Sequence, residues 1–230
     1  MFSKLLLRNY GKLLFDGYTV TYLTRTRIRQ ISEWIPKEIK SLIPRDPKIR
    51  QVGDPVLREP AEAVDVTFVH SPDFKAMVDR LVKVMRSHDG AGIAAPQIGV
   101  GLQVIAMEYT GKHMKKLKDN GFSDKDLKRM GIAIVPLKVF INPKLRVINP
   151  KMLAFRESCL SVEGHSAVVP RMSEVEVTAL DQNATPITWR AAGWPARILQ
   201  HEVDHLKGNL YVDSMLYKTF MNNNWQKYAK

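Results

Sequence analysis

The chain has one cysteine among its 230 residues, Cys159. That excludes an internal disulfide framework and fits a reducing compartment. The thiol is then either an inert packed group or a chemically used one. No apolar run approaches the roughly 20 residues that a membrane-crossing helix needs, which excludes a helical membrane span. There is no internal repeat and no low-complexity tract. Acids are scarce at the start of the chain: residues 1–32 carry Lys4, Arg8, Lys12, Arg25, Arg27 and Arg29 against Asp16 alone. An acid-poor, Arg-rich, hydroxyl-containing stretch predicts a mitochondrial transit peptide, with a basic arm for nucleic acid or lipid as the alternative. Histidine and glutamate are both missing after His205.

What is present is the composition of a folded protein, 45% hydrophobic and 25% charged. More than half of the net charge of +12 lies in the first 50 residues, so the body is only mildly basic. A nucleic-acid binder carries its basic patch on the folded domain, and none is expected here. Pro36, Pro44 and Pro47 punctuate a linker. The predicted organisation is a transit peptide and linker over 1–45 and one catalytic domain over 46–230.

Ser71 and Pro72 look like an N-cap and first helical residue, and the spacing of Phe74, Met77, Val78, Leu81, Val84 and Met85 predicts a helix over 72–88. Strands are expected over 101–109, 139–145, 174–180 and 187–191, each rich in β-branched or aromatic residues. Clustered strands point to an α+β fold. The charged segment 112–129 reads as a solvated surface insertion, because Asp119, Asp124 and Asp126 interrupt its basic residues.

The sharpest signal is His201-Glu202-Val203-Asp204-His205 on a helix opened by Pro195 and closed by Gly208. Side chains four apart on a helix are neighbours, so both imidazoles can reach one ion, with Glu202 beside it as a base rather than a ligand. A pair of surface histidines is the competing reading. Ile198, Leu199, Val203 and Leu206 argue against it, since a buried face would leave two imidazoles and a carboxylate unpaired. With no His or Glu downstream, and Tyr211 where some metalloproteases have a third histidine, the remaining donor must lie upstream. Cys159 is the natural candidate because a thiolate suits zinc or iron; His165 is the competitor.

Residues 90–99, Gly-Ala-Gly-Ile-Ala-Ala-Pro-Gln-Ile-Gly, contain the letters of a dinucleotide-binding fingerprint. They follow a helix and meet Pro96 before a strand, which is the wrong context for one. A turn that lets a peptide approach the backbone closely fits better, with Gln97 supplying an amide donor.

Together, residues 90–99, 157–161 and 200–208 resemble the three motifs of peptide deformylases, in the family's order, and the likeness runs from about Arg50 to Met215. It is greatest to the animal mitochondrial branch. The resemblance implies a deformylase-like α+β fold, with antiparallel or mixed strands around a central metal-binding helix. It implies Cys159, His201 and His205 as ligands of one divalent ion, Fe2+ or Zn2+, with Glu202 as acid and base. Gln97 and the Leu160 N–H would hold the oxyanion, and Gly90, Ala91, Gly92 and Ser158 would border the peptide. Ser158 departs from the family's usual glycine. The activity implied is removal of the formyl group from N-formyl-Met of newly made chains in the mitochondrial matrix, releasing formate, with neither nucleic acid nor membrane as partner. The family's mitochondrial members point to a homodimer, for which no heptad or apolar patch can be read. An endopeptidase and a non-catalytic peptide binder are the rival functions.

Overall fold

The structure, a computed structural model, describes residues 48–229. The expected transit peptide and linker, 1–45, lie outside the described residues. Among those described, no helix is long and apolar enough to cross a membrane.

The first long helix, α1 (Pro72–Ser87), begins where Ser71 Oγ accepts a hydrogen bond from the Phe74 N–H and Pro72 supplies a preset φ. Its buried side chains include Phe74, Met77, Leu81 and Met85. The glycine-rich turn follows and contributes a short strand, β1 (Gly92–Ala94), then a 3-10 turn, Ala95–Ile98. β2 (Val104–Tyr109) is almost wholly buried. Segment 112–129, expected as a solvated insertion, folds as two helices, α2 (Gly111–Asp119) and α3 (Asp124–Met130). Ser123 and Asp126 form a reciprocal cap at the start of α3, a local signal present in the sequence.

β3 (Val135–Cys159) and β4 (Val162–Leu180) form a long antiparallel hairpin closed by Leu160 and Ser161. Both run far beyond the strands expected from sequence. Pro143 and Pro150 lie within β3, where its register with β4 shifts, between Ile141 and Lys144 and between Asn149 and Met152. β5 (Pro186–Ala192) and β6 (Met221–Asn222) complete an antiparallel sheet in the order β1-β2-β3-β4-β5, with β6 on β4.

The helix α4 (Trp194–Leu206) carries the His-Glu motif. Ala196, Leu199, Val203 and Leu206 pack with Ile105, Met107, Phe140 and Val177 of the sheet in one buried cluster. Burying such side chains contributes roughly 1.5–3 kcal/mol each, which fixes the helix against the strands. Its N-terminus is pinned by a close backbone approach: a Cβ on Gly193 (φ +62) would meet Gly131 Cα at 2.8 Å, and the Trp194 N–H donates to Gly131 O. The α2–α3 insertion is thereby tied to the start of the motif helix. The α+β expectation, strands around a central helix, holds.

Candidate active site

β3 and α4 bring the chemistry together. Residues two apart on a strand share a face, so Glu157 and Cys159 are both buried toward α4, while Ser158 between them is exposed at the cleft. On α4, the i and i+4 positions place the His201 and His205 rings 5.1 Å apart. One donor atom from each of Cys159, His201 and His205 lies within 4.8 Å of the others, and Cys159 Sγ is 3.2 Å from His205 Nε2. Two ligands around a tetrahedral ion, with bonds of about 2.0–2.3 Å, stand about 3.5 Å apart, so the three donors fit one metal ion. His165, the competing donor, is elsewhere: its Nδ1 meets Glu163 O and its ring stacks on Phe220.

Glu202 is 4% exposed, and its Oε2 has no hydrogen-bond partner among the described residues. Burial pushes its carboxyl up to about 7. A cation at the neighbouring donors would draw it down again, because opposite charge favours the carboxylate. An unpaired buried carboxylate oxygen costs free energy unless something polar binds beside it, which agrees with an ion and a water at this place. Burial likewise holds His205 well below its ordinary value, keeping the neutral imidazole that can ligate a metal.

Gln97 is 2% exposed. Its Oε1 accepts from the Ala94 N–H at 2.8 Å, which orients the amide so that Nε2 reaches Ser161 Oγ at 3.1 Å and Cys159 Sγ at 3.5 Å. Leu160 follows Cys159 in the hairpin turn. Gly90, Ala91, Gly92, Ser158 and Leu160 all line a cleft of about 760 Å³ that also reaches Gln97 and Glu202. Gly92 has a reason to be glycine that the sequence did not reveal. A Cβ there would sit 2.3 Å from Glu202 Oε1, so the bare backbone reserves the space for that carboxylate.

Sequence reasoning missed the charged cluster behind the donors. Glu157 accepts two hydrogen bonds from Arg171, through Nε and an outer nitrogen, both at 3.0 Å, and one from Arg197 at 2.6 Å. Its other oxygen meets His201 Nδ1 at 2.9 Å. A carboxylate on Nδ1–H fixes the tautomer and would leave Nε2 free to ligate a metal. Arg171 also donates to Asp204, and Arg197 to the carbonyls of Val169 and Leu153. Two buried cations face two acids, so the cluster is neutral overall. Burial works to raise the Glu157 carboxyl, but the hydrogen bonds from His201 and Arg171 prevail and hold it well below the usual carboxylate range. One signal was available: Arg197 stands four residues before His201, on the same face of the helix as the motif.

The insertion is solvated as expected, with no buried residue in α2, but it has a further part to play. His113, Lys116 and Leu117 of α2 form part of the cleft wall beside Tyr109 and Trp194, so this segment is built into the site. Lys112 and Lys116 hold it to Asp89, at 3.0 and 2.7 Å.

A thiolate and two imidazoles converging at the edge of a cleft, with a carboxylate one step round the same helix, define a mononuclear metal centre of the hydrolytic kind. The polypeptide deformylase profile matches residues 47–219. The human mitochondrial peptide deformylase is 42% identical over 177 residues, 77% of this chain and 71% of that protein. The tomato chloroplastic peptide deformylase 1A is 44% identical over 174 residues, 76% of this chain and 61% of that one. The chain thus spans six to seven tenths of these organellar relatives. Among solved structures, the Met-Ala-Ser-bound class I type b peptide deformylase of Acinetobacter baumannii superposes with a TM-score of 0.63 at 27% identity, covering 73% of this chain and 96% of that one. The chain belongs to the polypeptide deformylase family.

Proposed function

We propose that this protein hydrolyses the N-formyl group of formyl-Met at the start of newly made polypeptides, releasing formate and a free amine. The observation that carries the reading is the placement of buried Glu202 beside the Cys159, His201 and His205 donors, at the edge of a cleft of about 760 Å³. The Acinetobacter relative was solved with Met-Ala-Ser, which has the form of a deformylated product.

A divalent ion held by Cys159, His201 and His205, Fe2+ or Zn2+, would polarise the formyl oxygen and make a water nucleophilic near neutral pH. Glu202 takes the proton of that water as its oxygen attacks the formyl carbon. The Gln97 amide and the Leu160 N–H donate to the formyl oxygen as it gains negative charge, and loss of one such donor costs about 3–4 kcal/mol in the barrier. Glu202 then delivers the proton to the amine nitrogen as the C–N bond breaks. Glu157 holds the His201 ring in register, while Gly90, Ala91, Gly92 and Ser158 border the peptide. Residues 46–230 form the catalytic domain, and residues 1–45 are a leader and linker that direct it to the mitochondrial matrix; the acid-poor N-terminal composition and the human relative's name support this location. The substrate is the nascent peptide, with neither nucleic acid nor membrane as partner, and a homodimer is the assembly that the family resemblance implies.

The test is formate release from formyl-Met-Ala-Ser by anaerobically iron-loaded protein, beside an acetyl-Met-Ala-Ser control. Turnover of the formyl peptide alone is expected, and Glu202→Gln should abolish it with the metal still bound. Equal cleavage of both peptides, or full activity in Glu202→Gln, overturns the reading.

A further inference from the structure

The C-terminal segment lies partly outside the family match, which stops at residue 219, yet it reaches the cleft wall through Asn223. It is pinned there in four ways. β6 pairs with β4 at His165 and Ser166, and the Asn223 N–H donates to Gly164 O at 2.8 Å. The Val168 N–H donates to Thr219 Oγ1 at 2.8 Å, and Phe220 stacks on His165 with ring centres 5.2 Å apart.

A polar relay sets the direction of the Asn223 side chain. Arg156 donates to Ser166 Oγ at 3.1 Å and to Thr219 O at 3.2 Å. The Ser166 hydroxyl, already accepting from a guanidinium, sends its own proton to Asn223 Oδ1 at 2.6 Å. With its oxygen taken, the amide presents its NH2 outward, and that group has no partner among the described residues. Arg156 and Asn223 both line the cleft, which places the free donor at the wall of the space a peptide would occupy.

The sheet gives the scale. Ser166 is paired with Ser158 on one side and with Met221 on the other, so β6 lies two strand spacings, about 10 Å, from the segment ending in Cys159. An extended peptide advances about 3.3 Å per residue. A chain whose reacting end lies at Cys159 therefore reaches Asn223 with about its third residue.

We propose that Asn223, held by the Arg156–Ser166 relay, is a substrate-positioning residue that donates to a backbone carbonyl of the peptide about three residues from its reacting end. Because it reads a carbonyl and no side chain, it favours longer nascent chains over very short ones without selecting their sequence. The inference rests on the deformylase reading for the identity of the substrate.

The experiment compares metal-loaded full-length protein with Asn223→Ala and with Asn223→Asp, which keeps the shape and the Ser166 bond but loses the donor. Each is assayed on formyl-Met-Ala and on formyl-Met-Ala-Ser-Lys. Both variants should raise KM for the four-residue peptide about two- to tenfold, the effect of one neutral hydrogen bond, with kcat unchanged and both constants for the dipeptide unchanged. No change for the longer peptide, or an equal change for both, overturns the proposal. Calorimetric titration with unformylated Met-Ala-Ser-Lys gives an independent readout. If the wild type turns over neither formyl peptide, the deformylase reading fails, and the titration alone decides this inference: weaker binding by both variants upholds it, and equal binding overturns it.

Discussion

Replacing Gly92 by alanine tests the geometry of the site with one carbon atom. The backbone at Gly92 needs no positive φ, so alanine is permitted there, but its Cβ would lie 2.3 Å from Glu202 Oε1 and 2.8 Å from Cδ. Ordinary contact begins near 3.4 Å, so the carboxylate must retreat by about 1.1 Å. Misplacing a reacting group by about 1 Å costs on the order of 100-fold in rate, and the ceiling is complete loss of acid–base assistance, up to about 10^4-fold. A fall of 10^2 to 10^3 in kcat is expected for Gly92→Ala, against a stability loss of about 1–3 kcal/mol from overpacking. Formate release, metal content and a thermal melt measured on one preparation separate these effects. A glycine kept only for close approach of the peptide would instead show raised KM with kcat intact. A metal-loaded Gly92→Ala protein with kcat within threefold of wild type would refute the steric argument.

Glu157→Gln removes the charge that both Arg171 and Arg197 face, and should destabilise the fold by about 3–5 kcal/mol and weaken metal binding 10- to 100-fold; chemical denaturation and a competitive chelator titration measure the two. Cys159→Ala should leave a folded protein that no longer retains one equivalent of metal after dialysis, whereas His165→Ala should retain it, as read by elemental analysis. Asp89 is drawn down to about 2, chiefly by its hydrogen bonds to Lys116 and Lys112. Its folded-state value lies below the unfolded one, so its contribution is present above about pH 4 and is lost as pH falls toward 2. With both lysines solvent-exposed this amounts to at most about 1 kcal/mol, and Asp89→Asn should remove that part of the pH dependence of the melting temperature. Gly193→Ala combines a positive φ with a Cβ 2.8 Å from Gly131 Cα, and a loss of more than about 2 kcal/mol is expected in urea unfolding.

What could be read from the chain alone was whatever local chemistry encodes. The α1 periodicity with its Ser71 cap, and the two histidines four apart between Pro195 and Gly208, are relations between near neighbours, and they appear in the structure where they were expected. The choice of Cys159 over His165 followed from donor chemistry and family likeness, and the structure places its sulfur 3.2 Å from His205 Nε2. The β3–β4 hairpin was under-read because much of β3 alternates exposed and half-buried residues, a weak local strand signal, and Pro143 and Pro150 fall at register shifts. Apart from Arg197 on the motif face of α4, the charged cluster was hidden for a different reason: Glu157, Arg171 and Asp204 each look like an ordinary surface residue until β3, β4 and α4 enclose them together.

By itself the sequence determined the kind of chemistry: a thiol, two imidazoles and a carboxylate at spacings that suit one ion, and motifs sufficient to name the family. Only the tertiary structure decided what surrounds that chemistry, because those contacts join residues far apart along the chain. It tied Gly92 to Glu202, turned the α2 insertion into a cleft wall, and brought Asn223 to the mouth of the site. Local patterns cannot encode such pairings, since each exists only after chain closure has brought the partners within contact distance.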